Sequence, residues 1–313
     1  MNQPALRHTE VPGPLSLQGA RRRMAWWDWN ATGQTHPDHV VVCVHGLSRQ
    51  GRDFDVLAQA LCTRARVVCV DVAGRGRSDW LADPMAYQIP TYVADVAALL
   101  AALRQEHTVA HGAGAVLHID WVGTSMGGLI GLGLAGQPGM GIRRLVLNDV
   151  GPVIQWEALQ RIGTYLGRPL VFRSEQEAAA ALLAVSQGFG PHTAEQWQAL
   201  TRPMLRPVVG GWGLHYDPAI AVPFQAMVAT PPEMARQAAQ AGEAVLWGLY
   251  DAVQAPTLLL RGQDSDLLSA DTAQAMAQRG PKARLVEWPG VGHAPTLVTD
   301  DQVTAVRDFV WAP

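Results

Sequence analysis

A few short segments hold residues whose types and spacing suit nucleophilic chemistry. Gly123-Thr124-Ser125-Met126-Gly127 has the pattern Gly-x-Ser-x-Gly. It follows an apolar run that reads as a strand and opens a Gly-rich helical stretch, the context that makes the pattern informative. A serine on so sharp a strand-to-helix turn is strained, and side chains two residues to either side would collide with neighbouring elements. The helix N-terminus behind Ser125 sets backbone N–H groups and the positive end of a dipole beside its hydroxyl. Such a serine needs a general base within hydrogen-bond reach, and histidine is the usual one near neutral pH. Of ten histidines, His293 in Gly290-Val291-Gly292-His293 stands just after the last predicted strand, Arg284–Trp288.

A carboxylate must orient that imidazole and stabilise its charged form. Asp264 and Asp266 follow the predicted strand Pro256–Arg261, and Asp149 follows the strand ending at Leu147. Aspartate is also common in turns and at helix N-caps, so the residues alone leave all three open. His45-Gly46-Leu47-Ser48 closes an earlier buried strand. The backbone N–H of Leu47, with that of Met126, would make a two-donor site for an oxyanion. His45 reads as a loop-shaping residue because it precedes the turn. Asp71–Ser78 (DVAGRGRS) ends a further strand; it lacks the third glycine and acidic partner of a dinucleotide site. Its Arg75 and Arg77 read as solvated loop arginines.

The elements that must position these residues alternate. Arg23–Asn30, Val40–His45, Arg66–Val72, Leu117–Val122, Arg144–Leu147, Pro256–Arg261 and Arg284–Trp288 read as strands. Several are continuous apolar runs, as expected of strands covered on both faces. Asp53–Cys62, Thr91–Leu103, Ser125–Ala135, Asp271–Gln278 and Asp301–Val310 read as helices, and His107–Ala115 as a surface loop. Alternation of this kind predicts an α/β fold: a parallel sheet with helices on both faces. The rhythm breaks between Gly151 and Tyr250, where the chain reads as helices and loops punctuated by proline. This predicts a core of residues 1–150 and 251–313 and a strandless helical insertion over 151–250.

Composition excludes other classes. Of 313 residues, 48% are hydrophobic and 16% charged, which rules out a disordered chain. The net charge of −3 speaks against nucleic acid or an anionic membrane as partner. Cys43, Cys62 and Cys69 show no metal-binding or disulfide spacing, and the first residues show no basic-then-apolar leader. The apolar run Leu129–Gly136 is far short of the roughly 20 residues of a membrane span. The expectation is a cytoplasmic protein, monomer or homodimer, without metal or organic cofactor. Eleven tryptophans outnumber both the phenylalanines and the tyrosines. Trp156, Trp212 and Trp247 in the insertion, with Trp80 at its entrance, are expected to line an apolar substrate pocket.

Taken together, HGLSR, DVAGRGRSD, GTSMGG, LNDVGP and GVGHAP resemble the α/β-hydrolase superfamily, in its branch of capped esterases, lactonases and carbon–carbon bond hydrolases. The resemblance runs from about Val40 to the C-terminus. It implies a mostly parallel sheet of eight strands with a cap inserted after the sixth. It also implies Ser125 as nucleophile, His293 as base, and the chain order Ser…Asp…His. The family's usual acid stands three residues past a glycine after the seventh strand; that position here is Ser265. Asp266 stands one residue late, and Asp149 matches relatives that carry the acid after the sixth strand. The expected activity is hydrolysis of a small, largely apolar ester, lactone or thioester through an acyl-enzyme. A cofactor-free C–C hydrolase or an acyltransferase on the same triad, and a non-catalytic ligand receptor, are the alternatives.

Overall fold

The computed structural model describes residues 3–13 and 21–312. Its N-terminal strands pair before the parallel sheet begins. β1 (Ala5–Pro12) runs antiparallel to β2 (Arg21–Trp29), with Ala5 opposite Asp28 and Pro12 opposite Arg21. β2 in turn lies antiparallel to the fourth strand, Trp26 opposite Val70. β1 was not legible in the sequence. Most of its residues are exposed, so it lacks the apolar run that marks an inner strand.

From there every pairing in the main sheet is parallel. β3 (His39–Val44) and β4 (Arg66–Val70) flank each other around helix α1 (Asp55–Leu61). Helix α2 (Ile89–His111) leads to β5 (His118–Thr124), and α3 (Met126–Ala135) leads to β6 (Ile142–Asn148). α2 takes in His107–His111, read from sequence as loop. Alternate residues of β3 serve opposite faces, as the period of two requires. Val40, Val42 and Val44 pack with Leu99 and Ile130 on one side; Val41 and Cys43 pack with Leu57 and Val306 on the other.

After β6 the chain builds a cap. It contains α4 (Trp156–Gly163), β7 (Val171–Phe172), α5 (Glu175–Val185), α6 (Ala194–Thr201), β8 (Leu205–Val208), β9 (Gly211–Leu214) and α7 (Ala221–Val228). The insertion is therefore not strandless: β7, β9 and β8 form a small antiparallel sheet. These strands have two to four residues and include Pro207, Gly211 and Gly213, so they carry no readable alternation. Helix α8 (Pro232–Ala252) returns to the core, where Tyr250 is fully buried and donates its hydroxyl to Met276 O at 2.6 Å.

β10 (Thr257–Gly262), α9 (Ala270–Gln278), β11 (Arg284–Trp288) and α10 (Asp300–Val310) complete the sheet in the order β1-β2-β4-β3-β5-β6-β10-β11. Eight strands, mostly parallel, with helices on both faces, agree with the expected architecture. Among the described residues, no helix is long and apolar enough to cross a membrane. The three cysteines are buried, and none of them forms a disulfide.

The glycines of the serine turn have a direct steric cause. A Cβ on Gly127 would stand 1.9 Å from Val44 O, and one on Gly123 would stand 2.3 Å from Gly127 O. Both contacts are with backbone, which cannot swing aside. Gly127→Ala is therefore expected to destabilise the fold by about 3 kcal/mol, the upper range for overpacking. A clearly lowered midpoint in thermal denaturation checks this; an unchanged midpoint would contradict it.

Candidate active site

Three strand ends meet at one point. Ser125 follows β5 with φ 52° and ψ −115°, a left-handed conformation rare for a side-chain-bearing residue and found at functional turns. Its N–H is held by Asn148 O at 2.9 Å. His293 stands in the loop after β11, and its Nε2 lies 2.9 Å from Ser125 Oγ. Its Nδ1 lies 2.6 Å from Asp149 Oδ2, and Asp149 follows β6. A carboxylate can only accept, so Nδ1 carries the proton and Nε2 is left to accept from the serine hydroxyl.

Asp149 is fully buried and compensated on every side. Gly262 N–H donates to its Oδ1 at 3.0 Å, and Ser265 Oγ donates to its Oδ2 at 2.6 Å. Its neighbour Asn148 joins the same loops: the side-chain amide donates to Thr124 Oγ1 at 3.0 Å and to Pro295 O at 2.8 Å.

The Leu47 and Met126 N–H groups flank the serine. Met126 opens α3, so its N–H has no intrahelical acceptor. The peptide that carries the Leu47 N–H is held by His45. His45 Nε2 accepts from Val72 N–H at 3.0 Å, so its Nδ1–H donates to Gly46 O at 2.7 Å. Burial pushes the His45 pKa down to about 3, which keeps the ring neutral and this tautomer in place. Gly46 C=O and Leu47 N–H are opposite ends of one planar trans peptide, so holding the carbonyl turns the N–H the other way. A Cβ on Gly46 would stand 3.7 Å from Ser125 Cβ, which puts this peptide beside the serine.

Arg75 is not the solvated loop arginine that its sequence context suggests. It is fully buried. It donates to Leu47 O at 2.9 Å, to Ala73 O at 2.7 Å and to Tyr92 Oη at 2.9 Å, with Met126 Sδ 3.7 Å away. It thus braces both residues flanking Ser125. Nothing in the sequence distinguished it from Arg77.

Asp149, not Asp264 or Asp266, is the carboxylate hydrogen-bonded to His293 Nδ1. Asp266 forms a two-pronged ion pair with Arg161 of α4, Nε at 2.6 Å and Nη2 at 3.0 Å. Asp264 lies in the same loop and donates its backbone N–H to Val291 O at 2.9 Å. Ser265, the position at which the family resemblance places the acid, instead donates to Asp149.

A cavity of about 550 Å3 opens above Ser125 and His293 and beneath the cap. Its apolar wall includes Leu47, Ile162, Leu182, Val185, Phe189 and Met204. Trp80, Trp156, Trp212 and Trp247 are not part of that wall. Trp80 is 46% exposed and lies under Arg206, 5.1 Å from the guanidinium. Trp247 is sandwiched between Tyr250 and Arg279, at 5.9 and 4.3 Å. Trp156 opens α4, and Trp212 lies within the small cap sheet, opposite Phe172 and Pro207. The lining combines aliphatic side chains with Tyr165, Phe172, Phe189 and Tyr216 and includes no tryptophan.

The profile of the alpha/beta hydrolase family matches residues 41–307. A 3-hydroxybutyrate-oligomer hydrolase of Cupriavidus necator is 48% identical over 310 residues, covering 98% of this chain and 97% of that protein. A 2-(acetamidomethylene)succinate hydrolase of Mesorhizobium japonicum is 25% identical over 267 residues, covering 85% of this chain and 86% of that one. The crystal structure of an alpha/beta hydrolase from Novosphingobium aromaticivorans superposes with a TM-score of 0.80 at 34% identity, covering 99% of both chains. With the fold and strand-end loops described above, these matches make the chain a hydrolase that belongs to the alpha/beta hydrolase family.

Proposed function

We propose that the chain is a serine esterase that cleaves short linear oligoesters of a small hydroxyacid, 3-hydroxybutyrate foremost. The observation that carries the reading is the continuous hydrogen-bonded chain from Ser125 through His293 to buried Asp149 at the floor of an apolar cavity. The substrate class is supported by the 48% identical relative, whose activity is on such oligomers.

In the proposed reaction His293 Nε2 takes the Ser125 proton as Oγ attacks the ester carbonyl. The carbonyl oxygen becomes an oxyanion held by the Leu47 and Met126 N–H groups. Loss of one such donor typically costs about 3–4 kcal/mol of barrier. The C–O bond then breaks, and His293 returns its proton to the departing alkoxide, which leaves as the hydroxyl of the alcohol half. Water, deprotonated by His293, attacks the acyl-enzyme and releases the acid half with Ser125 restored. Asp149 holds the imidazole in its working tautomer and stabilises the imidazolium. His45 is a positioning residue, acting through the peptide that carries the Leu47 N–H.

Ser125→Ala is expected to abolish release of monomer from the linear 3-hydroxybutyrate dimer; retained activity would sink the proposal. Asp149→Asn is expected to lower kcat by about 10³–10⁴-fold, as when a buried triad acid is lost. The same change at Asp266 should cost far less, and the reverse ranking would remove Asp149 from its role. For His45→Ala the expected signature is a fall in kcat of about tenfold or more with KM little changed, since only transition-state binding is weakened. An equal rise in KM at constant kcat would count against it.

A further inference from the structure

We infer that Arg161 is a carboxylate-binding subsite, which takes the free acid end of the substrate and aligns the terminal ester over Ser125. The inference rests on the hydrolase reading above and adds to it which end of the chain is recognised, and how.

A linear oligoester of a hydroxyacid carries one charge, the carboxylate at one end. Burying that group in an apolar cavity without a partner would cost several kcal/mol. Two arginines line the cavity. Arg49 is gripped by Asp53 as Arg161 is by Asp266, with Nε and Nη2 at 2.6 and 2.7 Å, but its Nη2 is also tied to Leu200 O of the cap at 2.7 Å. Its side chain is mostly buried, and it serves to hold the cap on the loop after β3.

Arg161 is placed differently. Both it and Asp266 have side chains 44% exposed at the cavity edge. Asp266 takes two of the five guanidinium N–H groups, and Tyr165 of the same wall interacts with the cation as well. Donors therefore remain for a second carboxylate. Asp266 fixes the side of the guanidinium that carries Nε, and the planar fork suits two-pronged binding of an acid. An ion pair this exposed is worth little by itself. Once a substrate fills the cavity and expels water, the same cation attracts a carboxylate more strongly.

The location also selects one half of the substrate. Asp266 belongs to the loop after β10, which is laced to the His293 loop through Asp264 N–H to Val291 O. Arg161 and His293 line the same cavity, and in the proposed pose the unit held by Arg161 is the one whose oxygen His293 protonates. In a linear hydroxyacid oligomer the acid-end unit is the alcohol component of the last ester. It is therefore the unit that departs on that side.

The test compares the free-acid 3-hydroxybutyrate dimer with its methyl ester, which keeps the scissile bond and loses the charge. The wild type is expected to favour the acid by about tenfold in kcat/KM, as one charge-assisted hydrogen bond allows. Arg161→Gln should bring the ratio close to one, chiefly through KM for the acid. Arg161→Lys should keep part of the preference, since it retains the charge but not the fork. A wild-type ratio at or below one overturns the subsite without any variant and leaves the hydrolase reading intact. So does a ratio that Arg161→Gln leaves unchanged. Failure of the wild type on both dimers overturns the proposed oligoester esterase, and this subsite with it.

Discussion

The Asp149 carboxylate is the constraint around which the site is arranged. A fully buried anion is tolerated only where hydrogen bonds replace its lost water. Here Gly262 N–H, the Ser265 hydroxyl and the His293 imidazole do so, and they come from two loops besides Asp149's own. Satisfying one carboxylate therefore fixes the ends of β6, β10 and β11 relative to one another. Ser125 is drawn into the same network, because its N–H is held by the carbonyl of Asn148, the residue before Asp149. Histidine orientation, serine geometry and loop closure all follow from neutralising one charge.

On the opposite wall backbone carbonyls take the place of the carboxylate beside the serine. Neutral His45 and buried Arg75 spend their donors on carbonyls: Gly46 for the first, Leu47 and Ala73 for the second. Leu47, beside Ser125, is thereby held through the carbonyls of the two peptides that meet at it. The cap is tied down in a similar way. Arg49 reaches Leu200 O, Gly292 N–H donates to Gly188 O at 2.6 Å, and His192 Nε2 meets Thr296 Oγ1 at 2.8 Å. These ties make the cap a fixed roof over the cavity, and the Arg161–Asp266 pair lies at its edge.

Much of this was legible in the sequence, and the exceptions have physical causes. The buried strands and Ser125 were readable because parallel pairing demands unbroken apolar runs and the serine turn demands its glycines. His293 was readable because it follows a strand. The carboxylate that hydrogen-bonds His293 was not, because β6 and β10 are neighbours in the sheet and their ends open onto the same point. Either end can therefore reach the imidazole, and only the fold shows Ser265 beside Asp149 and Asp266 turned to the cap. The tryptophans misled for a different reason. With one lysine in the chain, nearly every cation is an arginine, and several tryptophans serve as faces for them. Trp26 lies beside Arg66, Trp27 beside Arg52 and Trp311 beside Arg64, at 4.5 to 5.2 Å. A large aromatic in an arginine-rich chain is thus as much a stacking partner as a pocket wall.

The central claim is that Ser125 carries the acyl half of the substrate between two chemical steps. The most direct measurement is an acid quench during turnover of the linear 3-hydroxybutyrate dimer, followed by mass spectrometry of the intact protein and of its peptides. The account predicts a transient adduct of one 3-hydroxybutyryl unit located on Ser125. Turnover with no adduct at any quench time, or an adduct on another residue, would contradict it.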